Sequence, residues 1–432
     1  MTTSGGAGTL RPIGSAFRSP GVVSMNKHLS AVACGLASIM AYAGACRADT
    51  VTDWDTKATA VASAAALGER EVTIVDLAMF DAVNSIERRY QPYLHQLPTA
   101  GPTSADAAAA SAAATALAGL HPEAAATFKT ALSEYLAHLD ATPEALANGG
   151  RLGEAAARQI LEERANDGAT APDPYRPRTK PGQYVPTAVM VCSTWPTMRP
   201  FALASPSQFR PGPPPSLKGG EWAADYNEIK QLGGKTSSRR SVQQTETARF
   251  WLMTGPQAYH PLARQMIAAH HLSLVDSARF MALFAVTLTD AYIAVFDAKY
   301  HYEFWRPVTA IRNADLNDNP ATERDATWQA FDNTPMHPEY PCAHCIESGA
   351  ARVILESLGQ SLPELSLTSP TAPGVTHHWS NLDDFTTEVA NARIWAGFHY
   401  RFSTRVGTAF GQQVGEYVAS KVMQPVNRTA QR

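Results

Sequence analysis

The chain has 432 residues, is 45% hydrophobic and 17% charged, and carries a formal net charge of -3. That balance fits a folded protein able to bury a sizeable core and excludes a disordered or nucleic-acid-coating chain. Basic pairs such as Arg239-Arg240 are too sparse for a nucleic-acid surface, so no nucleic-acid partner is expected.

The N-terminus reads as an export signal. Met25-Asn-Lys-His opens a short basic stretch, Ala31 to Ala45 is an apolar run of small residues, and Cys46-Arg-Ala48 puts small side chains where a signal peptidase reads them. Cleavage is expected after Ala48, with residues 25–48 as the signal peptide and residues 1–24 as an extension from an upstream start. The location implied is periplasmic or secreted. Ala43 stands where a lipoprotein signal carries a large aliphatic residue, which argues against Cys46 as a lipid anchor. Removing Cys34 and Cys46 leaves Cys192, Cys342 and Cys345, so one disulfide and one free thiol is the simplest arrangement, with the pairing left open.

Residues 49–432 read as one helical domain. Over 49–166, Val72-Thr-Ile-Val-Asp-Leu-Ala-Met-Phe-Asp-Ala-Val and Ala126-Thr-Phe-Lys-Thr-Ala-Leu-Ser-Glu-Tyr-Leu repeat apolar residues at helical spacing. The alanine-rich run Ala107 to Ala118 reads as a core helix rather than a linker, because alanine is the best helix former. Over 167–220, Pro-Asp-Pro, Arg-Pro-Arg and Pro211-Gly-Pro-Pro-Pro break every period, which predicts an irregular segment wrapping the molecule. Helical periods resume over 221–425, and Phe280 to Phe296 is apolar nearly all round, as a central helix would be. Strand-like alternation is scarce. The fold class expected is all-α, built from helical bundles. No apolar run after residue 50 is uninterrupted over the roughly 20 residues of a membrane helix, so no membrane span is expected.

Three segments carry the chemistry. In Lys299-Tyr-His-Tyr-Glu-Phe-Trp-Arg306-Pro307, a separation of seven puts two cations two turns apart on one helix face, and the proline places Arg306 near the helix end. In Pro338-Glu-Tyr-Pro-Cys342-Ala343-His344-Cys345, a proline-ended lead-in meets an Ala- and Ile-rich helix starting near Cys342. A helix N-terminus suits an oxyanion, and His344 in its first turn is placed to move protons. In Arg393-Ile-Trp-Ala-Gly397-Phe-His399, the glycine lets the chain turn, so Arg393 ends one helix as His399 opens the next element. Arginine forks onto oxyanion oxygens, and a neutral imidazole binds a metal or attacks phosphorus. The pairs His270-His271 and His377-His378 would point to different sides of a helix and read as structural.

In order and spacing, these segments resemble the three-part signature of the superfamily that joins vanadium-dependent haloperoxidases with type 2 phosphatidic acid phosphatases and bacterial acid phosphatases. The signature is a lysine with an arginine seven later, a Pro-Ser-Gly-His segment, and an arginine with a histidine six later. The likeness is best over 299–414, and Trp195-Pro-Thr-Met-Arg-Pro-Phe-Ala-Leu is similar to a stretch of bacterial haloperoxidase-like proteins. The resemblance implies a fold of four-helix bundles and a site for vanadate, which phosphate can also fill. Lys299, Arg306 and Arg393 would hold the equatorial oxygens, with Cys342, Ala343 and His344 beside them. His399 would be the apical metal ligand, His344 the acid–base group, and His337, five before Cys342, a halide-site residue similar to that of bromoperoxidases.

Three departures matter. Cys342-Ala343 replaces the family's Ser-Gly, and cysteine is the poorer donor. Cys342 and Cys345 form a CxxC at a helix start, where a disulfide between them could alter the oxyanion loop. Ser403 stands where relatives carry an aspartate that orients the histidine. The reading carried forward is a haloperoxidase taking hydrogen peroxide, a halide (bromide or iodide) and a small organic substrate. The alternatives are an acid phosphatase working through a phosphohistidine, or a redox-regulated or inactive relative. The oligomeric state is open, with a homodimer among the options.

Overall fold

The structure, a computed structural model, describes residues 49–62, 67–359 and 362–426. The signal segment, with Cys34, Cys46 and the cleavage point at Ala48, lies outside the described residues.

The N-terminal part folds as α1 (Thr50–Ala62), α2 (Gly68–Glu87), α3 (Ala105–Leu120), α4 (Ala125–Ala137) and α5 (Pro143–Glu163). The alanine-rich run is α3, and its start is fixed by Ser104, whose hydroxyl accepts from the Ala107 N–H at 3.2 Å. Small residues let α5 press against it. A Cβ on Gly153 would stand 2.2 Å from the Ala108 carbonyl oxygen, so the two backbones are in direct contact.

The C-terminal part comprises α6 (Gly220–Leu232), α7 (Val242–Phe250), α8 (His260–His270), α9 (Leu274–Tyr302), α10 (Pro307–Arg312), α11 (Ala343–Glu356), β1 (Leu365–Ser369), β2 (Ala372–Trp379), α12 (Leu382–Trp395) and α13 (Arg401–Lys421). α9 is the central helix, buried along nearly its whole length and packed against α2 on one side and α11 and α13 on the other. α11 and α13 meet through a stripe of glycines. A Cβ on Gly411 would lie 2.0 Å from the Ile346 carbonyl oxygen, and one on Gly407 2.7 Å from that of Cys342. Leaving Cβ atoms out brings the start of α11 close onto α13.

Between the two parts, residues 167–220 contain a single short helical turn at Trp195–Thr197 among the described residues. Carboxylates fasten the segment down. Asp167 accepts from Arg70 Nε at 2.8 Å and Arg164 Nε at 2.9 Å. Asp290, in the middle of α9, accepts from the N–H groups of Phe201, Ala202 and Leu203 at 2.6, 2.7 and 2.8 Å. Arg210 forks onto Asp297 at 2.7 and 2.9 Å.

One expectation needs correction. β1 and β2 form an antiparallel hairpin, so His377 and His378 alternate along a strand rather than round a helix. His377 turns in to Glu388 Oε1 at 2.6 Å and stacks on Phe250, whereas His378 is half exposed. In addition, α9 is by length and composition apolar enough to cross a membrane. Asp290 and Asp297 interrupt its apolar runs without offsetting its average character, and most of its side chains are buried within the protein.

Behind the C-terminal helix starts sits a second, aromatic core. Trp222, Phe304, Trp305, Tyr340, Tyr400 and Phe402 pack ring against ring. Phe304 and Trp305 flank Arg306 in the sequence, and Tyr400 and Phe402 flank His399, so this packing holds the segments that bear them.

Candidate functional site

Lys299 and Arg306 do not share a helix face. α9 stops at Tyr302 because Glu303 takes the left-handed conformation (φ 47°) and donates its N–H back to Lys299 O. The chain then reverses, and Pro307 keeps Arg306 extended at the start of α10. Both cations are fully buried. Lys299 Nζ donates to the carbonyls of Pro338 and Glu339 at 3.0 and 2.8 Å. Arg306 donates to the carbonyls of His337 at 2.9 Å and Phe398 at 3.0 Å. The first segment thus clamps the lead-in to the second and the approach to the third.

The second segment enters α11 with Cys342 as its N-cap. A disulfide joins Cys342 to Cys345, and Cys192 is the free thiol. The Cys342 sulfur also accepts the Cys345 N–H at 3.2 Å. This corrects the expectation that Cys342 would be a weak donor to an anion, since a bridged sulfur has no S–H. The donors left at this helix end are the backbone N–H groups of the first turn, including Ala343.

His344 donates through Nε2 to the Met253 carbonyl at 3.0 Å, because a carbonyl can only accept. Its Nδ1 therefore carries the lone pair.

Arg393 lies in the last turn of α12, and Gly397 (φ 79°) turns the chain before His399. No side chain fits there, since a Cβ would lie 2.4 Å from the Gly233 carbonyl oxygen. Arg393 donates to the Trp251 carbonyl, while its Nε is buried without a partner. For a guanidinium 3% exposed, that is a donor still wanting an acceptor.

The tautomer of His399 follows from its neighbours. Arg306 Nη1 lies 3.2 Å from Nε2, and a guanidinium only donates, so Nε2 holds the lone pair. The proton is then on Nδ1, which donates to Glu339 Oε1 at 2.8 Å. The Tyr400 N–H donates to the same oxygen at 3.2 Å. Glu339, absent from the residues singled out in the sequence, is thus the group that orients His399. Ser403, at the position of the relatives' aspartate, lies beside Glu339 rather than bonding the ring. The signal available was position alone, a carboxylate between Pro338 and Tyr340 in a segment already of interest.

Burial and like charge act together on these groups. Burial first, then Arg306, holds the Lys299 ammonium well below its ordinary range. Burial pushes Arg306 down to about 10 and, with Arg306 beside it, Arg393 to about 9. Both guanidinium groups stay charged at neutral pH. His337, His344 and His399 are all held well below 6.5, by burial first. Burial raises Glu339 to about 7 against the pull of Lys299 and Arg306. The resting site is a desolvated cluster of cations and neutral imidazoles, which a bound anion would relieve.

A cavity of 420 Å³ opens onto it, lined by Glu69, Cys192, Trp195, Tyr292, His337 and Arg393 among others. His337 lines it, with Nδ1 3.1 Å from Arg306 Nη2 and 3.2 Å from the Pro338 carbonyl oxygen. A wider groove of 760 Å³ shares the 332–336 loop but contains none of the cationic or imidazole groups above.

Comparison with known proteins agrees with this geometry. The VCPO second helical-bundle domain family matches residues 279–428, the stretch that carries all three segments. The vanadium chloroperoxidase of Curvularia inaequalis is 25% identical over 48% of this chain and 44% of its own length, so the match spans less than half of that relative. Over the stretch that bears the three segments, this chain is thus similar to the vanadium haloperoxidases.

Solved haloperoxidase structures establish the shared fold. A bacterial vanadium-dependent iodoperoxidase superposes with a TM-score of 0.75 at 21% identity, covering 89% of this chain and all 100% of that one. The apo form of a bacterial vanadium-dependent chloroperoxidase follows at 0.66 and 17% identity, covering 82% and 92%. The donor set suits the vanadate that such enzymes use. Three buried basic side chains, one with an unpartnered N–H, cluster about a histidine whose lone pair is fixed, which suits a small oxyanion.

Proposed function

We propose that this chain is a vanadate-dependent haloperoxidase that oxidises bromide or iodide with hydrogen peroxide. The observation that carries the reading is the His399 Nε2 lone pair, held by Glu339 and facing buried Arg306 with Lys299 and Arg393 close by. Lys299, Arg306 and Arg393 would hold the oxygens of the oxyanion, with the first N–H groups of α11 adding dipolar stabilisation. His399 would be the protein ligand through Nε2, and Glu339 keeps its proton on Nδ1. Bound vanadate would supply a Lewis-acidic centre that activates peroxide without changing oxidation state.

His344 handles protons. Its Nδ1 lone pair takes one, and the Met253 carbonyl keeps the ring fixed while it does so. The anion's charge makes that protonation easier by offsetting the Arg393 field that now opposes it. His337, beside Arg306 in the cavity lining, is where halide selectivity would be set. The signal-like segment supports export as the setting.

The test is bromide- and iodide-dependent halogenation of a phenolic dye by the purified chain with hydrogen peroxide, with and without vanadate, alongside aryl phosphate hydrolysis. The expected result is vanadate-dependent halogenation lost in His399→Ala. Phosphate-ester hydrolysis without halogenation would instead make the chain a phosphatase with His399 as nucleophile.

A further inference from the structure

A second polar cluster lies where α1 and α2 meet α8, and the function above leaves it unused. Asp55 comes from α1, Glu69 and Asp76 lie two turns apart on α2, and His260 and Arg264 lie one turn apart on α8. Asp55, Asp76 and His260 are 0% exposed and Glu69 is 3% exposed. Asp55 is satisfied on both oxygens, by His260 Nδ1 at 2.7 Å and by Arg264 Nη1. The others are not. Both oxygens of Asp76, both of Glu69, and His260 Nε2 are buried with no hydrogen-bond partner.

Buried polar groups in folded proteins are almost always paired. Protonating Asp76 would remove its charge but still leave a hydroxyl and a carbonyl facing nothing. Ionised, the three carboxylates face one permanent cation, Arg264, leaving two negative charges. One dication balances them. One donor atom from each of Asp55, Asp76 and His260 already lies within 4.8 Å of the others. Three ligands about 2.0–2.2 Å from a central ion stand roughly 3–4 Å apart, so a contraction of about an ångström or less would close the set.

We infer that Asp55, Asp76 and His260 form a binding site for a single divalent transition-metal ion, with Glu69 as a neighbouring carboxylate available to it. Mixed carboxylate and imidazole donors suit Zn²⁺ or Mn²⁺ better than the all-oxygen preference of Ca²⁺ or Mg²⁺. Arg264 holds Asp55 from the far oxygen and so orients it. Facing donors from several helices are a recurrent way to build a metal site in a bundle core. A route in exists, because Glu69 also lines the 420 Å³ cavity. The ion would tie α1, α2 and α8 together, stiffening the bundle face that adjoins the oxyanion site.

The test uses the full chain carrying His399→Ala, so that no metal seen can belong to the oxyanion site. After chelator treatment, Zn²⁺ is titrated while heat and melting temperature are recorded. One equivalent should bind and raise the melting temperature, and Asp76→Asn or His260→Gln should weaken binding by at least about tenfold. An absence of saturable binding, or an isotherm unchanged in both variants, overturns the site. Should those variants fail to fold, X-ray absorption of the zinc-loaded His399→Ala chain decides the matter. One imidazole among oxygen neighbours supports the site; sulfur or several imidazoles overturn it.

Discussion

Lys299 is the residue on which the chemistry of the oxyanion pocket turns most directly. It is buried among Arg306 and Arg393, which holds its ammonium well below 10.5. An anion bound among the three favours the charged form and lifts that value back. Binding must therefore take up protons, and affinity must fall as pH rises through the window between the free and bound values. His344, held down by burial and Arg393, adds in the same direction. Calorimetric titration of inorganic phosphate, in two buffers of different ionisation enthalpy and well above the second phosphate ionisation, should show net proton uptake. Lys299→Met should bind at least about tenfold more weakly and take up less, at a cost of about 1.4 kcal/mol per tenfold. Proton release by the parent chain would contradict the assignment. Lys299, Arg306, Arg393 and His399 could be singled out because they fall in two spaced pairs, with Pro307 next to Arg306 and Gly397 between Arg393 and His399 to bend the chain. Glu339 and the Met253 carbonyl could not. Their roles come from where the chain returns, 60 residues before His399 in one case and 91 before His344 in the other, and no local pattern records that.

At the scale of elements, α13 positions the site by how closely it approaches α11. Its glycines recur every fourth residue at 407, 411 and 415, and all three face α11. Gly411→Ala forces a methyl to within 2.0 Å of the Ile346 carbonyl, so α13 must move. The expected cost is about 1–3 kcal/mol, read as a lowered melting temperature. Gly212→Ala, where nothing lies within 4 Å, should leave the melting temperature unchanged or raise it slightly. Equal behaviour of the two would remove the close-packing argument. Long helices such as α9 were readable from apolar periodicity, and α3 from alanine content. The β1–β2 hairpin was not, because strands of five and eight residues, with Pro373 and Gly374 in the second, give little alternation to count.

For the whole molecule, the decisive question is how an irregular stretch of more than fifty residues, 167–220, is held. Composition predicts that it is irregular but not where it runs, since its anchors are carboxylates supplied by helices far away in sequence. Asp290 is the tightest of these, three backbone amides converging on one side chain. Asp290→Ala leaves all three without their acceptor, which predicts a loss of about 3 kcal/mol or more and early proteolytic cleavage near residues 199–204. Cleavage no faster than in the parent chain would show that the other anchors suffice.

The same carboxylate bears on how the chain is made. α9 is 29 residues long and, were the chain exported as its signal-like segment suggests, would before its partners fold be a segment that a protein-conducting channel could release sideways into lipid. A carboxylate near the centre of such a segment opposes that release by about 2.5–3.5 kcal/mol. Asp290, seventeenth in the helix, is placed to do so, and Asp297 adds to it nearer the end. A side chain that later gathers a loop would thus first keep its own helix on the aqueous path. Removing it would shift part of the newly synthesised chain into the membrane before any loop existed to hold.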